Sequence, residues 1–434
     1  MRLRHFISVA VLCLSFGTAQ AGGLTQEVVL ASWYKLILNL VRHTATYSPP
    51  VASRNFAYLA ATAYEATASG DDHLVSFAGQ LQGLKNLPPR EKGKAYDEAL
   101  VLNTALDAAT HNFFSNTGPT GQRVLALTSQ KMNSDVSSKV AADVKKRSIA
   151  YGKTLAAAIL DWSKSDGGAV VENMGFPMKY ELNKAPGHWV PTSQLRQQQA
   201  PLLPNWGKNR TFAMPAGSTC NLPAPPDYSD DKTSEFFKEA KEVYDTKNNL
   251  TPEQKTIARF WSDDPMLSST PPGHWIGITT EIIDRDKLPV AKSVDVLARL
   301  SFAVADGFIG CWNTKMQYDL LRPVTYIKKN IDPKWETLLI TPPFPEYPSG
   351  HSTQSGAAAV VLSKFFGDHF VFDDATHEGD GFKPRHFASF WDAANEAGIS
   401  RMYGGIHFRP AIERGLDQGR CVGAYANQLK TVKQ

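Results

Sequence analysis

The sequence predicts an all-α helical bundle. Apolar residues recur every three to four positions through several stretches, the amphipathic period of a helix. Sustained strand-type alternation is scarce, and a capping signal stands where one of those stretches begins. The chain has 434 residues, 42% of them hydrophobic and 20% charged, an ordinary globular composition. That is enough for one large helical domain or two intimate ones.

The elements follow in order. Arg2 and Arg4, the apolar run Phe6 to Phe16 and the small-x-small triplet Ala19-Gln20-Ala21 read as an export signal over residues 1–21. The expected location is therefore periplasmic or extracellular. Cleavage would leave a net charge of +2 in place of +4. Neither value argues for a nucleic-acid partner, and no later stretch is apolar for long enough to span a membrane. Cys220, Cys311 and Cys421 would remain, an odd number, so one disulfide at most with a free thiol and the pairing open. In the N-terminal region, 22–250, helical periodicity runs through Val29, Trp33, Leu36, Ile37 and Leu40, then Asn55 to Ala68, then Ser148 to Trp162. Gly175 to Asp231, dense in Pro and without a period, reads as an extended segment lying over the helices or joining two domains. The C-terminal region, 251–434, opens on a capping box at Thr251-Pro252-Glu253-Gln254. Helices are expected over Ala291 to Gln317, Gly356 to Phe366, Phe387 to Tyr403 and about Pro410 to Leu429. The acids of Asp373 to Asp380 read as a solvated loop.

Three segments carry chemistry. Lys315 and Arg322 lie seven residues apart, nearly two helical turns, and are expected to share one helix face about 10 Å apart along its axis. Pro348-Ser349-Gly350-His351 precedes an Ala-rich helix, where free amides and the macrodipole favour an anion. Ser349 adds a hydroxyl, Gly350 allows close approach, and His351 can move a proton near neutral pH. Arg401 stands before Gly404-Gly405, which breaks the helix and can turn His407 toward the same place. Each segment alone also fits a solvated helix face or a plain turn. Together they suit a tetrahedral or trigonal-bipyramidal oxyanion.

The K-x6-R-P, P-S-G-H and S-R-x5-H segments resemble the signature of the type 2 phosphatidic acid phosphatase and vanadium haloperoxidase superfamily. Pro49 to Glu65, Leu202 to Gly207, Phe260-Trp261 and Pro271 to Trp275 resemble its soluble haloperoxidase-like branch, so the likeness covers nearly all of the mature chain. The resemblance implies two packed four-helix bundles. It implies that Lys315, Arg322 and Arg401 neutralise a bound oxyanion and that Ser349 and the Gly350 amide hydrogen-bond it. His407 would be its apical partner, and His351 the acid–base group opposite. Trp312 and Phe344 occupy spacings at which fungal chloroperoxidases of the family carry halide-side aromatics; core packing explains them equally well.

Two activities share such a pocket. One is a vanadium-dependent haloperoxidase, with vanadate on His407 and with hydrogen peroxide and halide as substrates. The other is an acid phosphatase for small phosphate esters, in which phosphate takes the same site and His407 becomes the phosphorylated nucleophile. The long soluble chain favours the first. Ala411, four residues after His407, replaces the Asp that orients the imidazole in phosphatases. Glu413, Asp417, Asp263 and Asp264 are the candidate substitutes. A non-catalytic oxyanion-binding protein is the third reading. Halide preference, organic substrate and oligomeric state are not legible.

Overall fold

The computed structural model describes residues 23–193 and 199–433; the expected export signal lies outside them. Thirteen α-helices and one two-stranded ribbon are found among the described residues. The first five helices are α1 (Gln26–Arg42), α2 (Pro49–Ala68), α3 (Glu98–Phe113), α4 (Pro119–Ser137) and α5 (Ala142–Ser163). After a long irregular strap come α6 (Glu235–Asn248), α7 (Pro252–Phe260), α8 (Thr270–Asp286), α9 (Val290–Tyr318) and α10 (Pro323–Asn330). Then follow α11 (Gly350–Phe366), strands β1 (Phe372–Asp374) and β2 (Arg385–Phe387), α12 (Phe390–Tyr403) and α13 (Arg409–Asn427). None of these helices is long and apolar enough to cross a membrane.

Helix α9 is the axis of the molecule. It packs on α2 along one side and on α11 and α13 along another. Helices α3 and α5 pack on α2, and α12 packs on α11 and α13. One apolar core runs through both groups, from Trp33 and Phe56 through Phe302 to Val422. Helix α2 is buried on every face from Pro50 to Thr67, which its run of small Ala and Ser residues makes possible. The α11–α13 contact is closer still. A Cβ on Gly419 would stand 2.3 Å from the Thr353 carbonyl oxygen, so the backbones meet there without side chains between them. Thr251 and Gln254 form the expected capping box, each side chain taking the other's backbone amide.

The strap between α5 and α6 keeps its course through buried polar anchors rather than secondary structure. Arg54 in α2 pairs with Asp166 at 2.6 Å. Asp306 in α9 accepts the amides of Phe212, Ala213 and Met214 at 2.6, 2.8 and 2.8 Å. A disulfide joins Cys220 in the strap to Cys421 in α13, and Cys311 is a buried free thiol. This link closes a loop of 201 residues. Loops of that size cost the unfolded chain much entropy, so opening the bond should cost roughly 2–5 kcal/mol. Cys220→Ser with Cys421→Ser is expected to lower Tm by several degrees in calorimetry. An unchanged Tm would mean that the buried polar anchors alone hold the strap.

Two expectations are corrected here. Lys315 and Arg322 do not share a helix face, because α9 stops at Tyr318 with Asp319 in left-handed conformation. Pro323 excludes helical geometry from Arg322, which caps α10 with ψ 153. The acids of Asp373 to Asp380 are not a plain solvated loop either. Asp374 is fully buried, and Asp380 pairs with Arg42.

Candidate active site

The three chemical segments meet around one loop, residues 343–349, held from both sides. Lys315 enters from α9 and donates to the carbonyls of Pro345 and Glu346 at 2.8 and 2.9 Å, and to that of Pro348. Its amino group thus clamps the loop from within the core. From α13, the Ala411 carbonyl accepts the Ser349 amide at 2.9 Å. Ser349 caps α11, its hydroxyl accepting the Ser352 amide. The amides that follow it belong to the first turn, where no carbonyl four residues back is available. A Cβ on Gly350 would meet nothing nearer than Phe308 at 3.7 Å. A methyl there would make ordinary contacts with Phe308, Trp312 and Cys311.

His407 stands where α12 and α13 join. Gly405 makes the turn with φ +76, against the ring of Trp335. The His407 Nδ1 lies 2.8 Å from Glu346 Oε1, and that oxygen also accepts the Phe408 amide at 2.9 Å. A carboxylate on Nδ1 fixes the proton there and leaves Nε2 as the acceptor nitrogen. Arg322 Nη1 lies 3.0 Å from that Nε2 and also donates to the Ile406 carbonyl, while its Nε donates to Phe344. Arg401, in the last turn of α12, donates from Nη1 to the Trp261 carbonyl.

A cavity of about 360 Å³ opens on His351, Arg401, His407 and Gly350. Its outer wall is mostly apolar, with Met174, Phe176 and Leu202 from the strap and Ile340, Pro342 and Pro343 opposite. Trp312 and Phe344 also line it, ring centroids 4.8 Å apart. The Trp312 indole N–H is committed to the Leu202 carbonyl. Phe344 lies over two cations, with Lys315 Nζ at 5.2 Å and Arg322 Cζ at 5.0 Å from its centroid.

The electrostatics favour an anion. Burial, with Arg322 alongside, lowers Lys315 to about 7. Burial also lowers Arg322 to about 9 and Arg401 to about 10. His407 is pushed well below its ordinary range by burial and by Arg322, Lys315 and Arg401, so its imidazole is neutral. His351 is pushed the same way by burial and Arg401. Arg322 Nη2, Arg401 Nε and His351 Nε2 are buried with no hydrogen-bond partner among the described residues. The two unmet guanidinium donors are costly to bury, and an oxyanion here would satisfy them. The donor set therefore fits vanadate or phosphate.

Sequence reasoning missed the carboxylate on His407. None of Glu413, Asp417 and Asp263 fills the place of the Asp missing at Ala411. Glu413 faces Arg409 and Asp417 faces Arg420 at the surface, and Asp263 binds two other histidines. Asp264 lines the cavity near Arg401 rather than His407. Glu346 does it from the loop. Its one signal was a lone charge in a Pro-rich apolar stretch, three residues before Ser349.

Comparison with known proteins gives the family. A crystal structure of a bacterial vanadium-dependent iodoperoxidase superposes with TM-score 0.83 at 36% identity, over 94% of this chain and 98% of that one. The chain belongs to the vanadium haloperoxidase family. The family model for the VCPO second helical-bundle domain matches residues 295–433, the part that carries all three segments. The vanadium chloroperoxidase of Curvularia inaequalis is 23% identical over 313 residues, 54% of this chain. That match spans about half the length of the Curvularia haloperoxidase, 51%. A holo-type bacterial vanadium-dependent chloroperoxidase shares the fold, with TM-score 0.70 at 17% identity over 90% of this chain and 93% of that one.

Proposed function

We propose that this chain is an exported vanadium-dependent haloperoxidase that oxidises halide with hydrogen peroxide at a vanadate held by His407. The observation that carries the reading is the His407 imidazole. Glu346 holds it in the Nδ1–H form, with Nε2 accepting from Arg322 Nη1, in a cavity where Arg322 Nη2 and Arg401 Nε are left without partners. Iodide is the halide to test first, since the iodoperoxidase is similar over nearly its whole length.

Vanadate, when bound, supplies the Lewis-acid centre that activates peroxide. The chain does the rest. His407 Nε2 would hold the anion, and Arg322 and Arg401 would neutralise its charge. Ser349 and the Gly350 amide hydrogen-bond it. Lys315 adds a nearby charge and keeps the loop in place. His351, neutral and unpartnered at Nε2, accepts a proton from incoming peroxide and returns it as water leaves. The apolar wall with Trp312 and Phe344 limits water around the halide.

The deciding experiment uses vanadate-free protein with and without added orthovanadate. Peroxide-dependent oxidation of iodide, bromide and chloride is followed, with p-nitrophenyl phosphate hydrolysis beside it. Vanadate-dependent halide oxidation is expected. Hydrolysis that vanadate inhibits, without halide oxidation, would make the protein a phosphatase with His407 as nucleophile. Binding without either would make it an oxyanion-binding protein. Arg401→Ala should weaken vanadate and phosphate binding about a hundredfold, roughly 3 kcal/mol, for a lost charge-assisted donor. Calorimetric titration reads this, and unchanged affinity would remove Arg401 from the site.

A further inference from the structure

Behind the cavity wall lies a second cluster that the oxyanion chemistry does not use. Asp263, just after α7, places Oδ2 2.8 Å from His274 Nδ1 and Oδ1 3.1 Å from His377 Nε2. The far nitrogens face carboxylates too. His274 Nε2 lies 2.7 Å from Asp374 Oδ2, and His377 Nδ1 lies 3.0 Å from Asp380 Oδ2. Asp263, His274 and Asp374 are fully buried. One ligand atom each from Asp263, His274 and His377 falls within 4.8 Å of the other two. A separate cavity of about 190 Å³ reaches His274, His377 and Asp380, with Glu281 and Arg42 on its lining.

Counting donors exposes what this cluster lacks. Four ring nitrogens face carboxylate oxygens, but two neutral imidazoles carry only two N–H groups. Two further positive charges between the rings and Asp263 would complete the count with every carboxylate ionised. Two protons would make a pair of imidazolium rings 4.8 Å apart, which the facing carboxylates favour although the rings repel each other. One divalent ion supplies the same charge without that repulsion.

We infer that Asp263, His274 Nδ1 and His377 Nε2 form a binding site for a divalent first-row transition metal, with zinc as the reference ion. Two imidazoles and a carboxylate are a donor set such ions favour, and the cavity leaves a position for water. Asp374 and Asp380 take the outer N–H groups, the usual support for a ligating histidine. The exchange balances: one M²⁺ enters, the two protons facing Asp263 leave, and nothing is oxidised or reduced. The ion would brace the oxyanion cavity. Asp263 lines that cavity, Trp261 stacks on His274 at 4.4 Å, and the Trp261 carbonyl holds Arg401.

The test titrates chelator-treated, vanadate-free full-length protein with Zn²⁺ by calorimetry, in buffers of different ionisation enthalpy. One site with a Kd of about 1 µM or tighter and release of about two protons is expected. His377→Gln should weaken it at least tenfold, and Asp374→Asn by roughly ten- to a hundredfold. His407→Ala should leave it unchanged, which separates it from the oxyanion pocket. Circular dichroism accompanies each variant, and a zinc-induced rise in the Tm of the unmutated protein reads the site without any substitution. Absence of saturable binding of Zn²⁺, Co²⁺ or Mn²⁺ to the unmutated protein overturns the inference. So does zinc binding that survives His377→Gln and Asp263→Asn intact.

Discussion

His407→Ala is expected to lose vanadate-dependent halide oxidation by at least about a thousandfold, roughly 4 kcal/mol of transition-state stabilisation. The reason is local. His407 offers the neutral imidazole nitrogen of the cavity that has its lone pair fixed by a carboxylate behind it. The cations around it attract an anion but form no directed bond along its axis. Alanine therefore leaves a pocket that still draws phosphate or vanadate weakly and holds neither in place. The cost to folding should be small, because Arg322 keeps its bonds to the Phe344 and Ile406 carbonyls. Added imidazole should restore part of the activity by filling the vacated volume. Full vanadate-dependent turnover in a folded His407→Ala protein would refute the assignment of this residue.

Glu346→Gln is expected to lower vanadate affinity or turnover by about ten- to a hundredfold. Glutamine keeps the size of the side chain and an oxygen to accept the Phe408 amide, so the loop should stand. What it removes is the charge that makes the Nδ1–H form of His407 the preferred one. Its amide can also present N–H to the ring and select the opposite tautomer, with the proton on Nε2. Glu346→Ala is the poorer test, because it leaves a buried amide unpaired at a cost of about 1–3 kcal/mol. Burial raises the Glu346 carboxyl to about 7, against the pull of Arg322 and Lys315. As pH rises through that value the carboxylate forms and its bond to His407 becomes charge-assisted. That limb of the activity profile should flatten in Glu346→Gln; an unshifted profile with full activity would leave Glu346 a packing residue only.

The helices were legible where local rules decide them. The period of three to four marked α1, α2 and α5, and Thr251 to Gln254 announced its own cap. Residues of the signature segments were legible as well, since each segment is short and contiguous. What joins the segments was not. Glu346 and His407 are 61 residues apart, and their contact depends on a loop course set by Lys315 and Ala411. The Cys220–Cys421 bond spans 201 residues, and three cysteines admit more than one pairing. The Lys315–Arg322 spacing misled because a helical repeat was extended past Tyr318, where α9 ends. Asp374 looked like part of a wet loop because nothing nearby in sequence announces the buried His274 that it meets.

The cavity is built from two materials. Its floor is rigid, made by α9, α11, α12 and the loop that Lys315 clamps, and it carries the charged groups. Much of its rim belongs to the strap, which is tied at Asp306 and at Cys421 but has no α-helix of its own where Met174, Phe176 and Leu202 line the cavity. Changes of size at these three positions alter the mouth without disturbing any donor to the anion. Acceptance of a bulky organic partner and retention of the cofactor are thereby separate traits, open to independent variation in natural drift or in directed redesign.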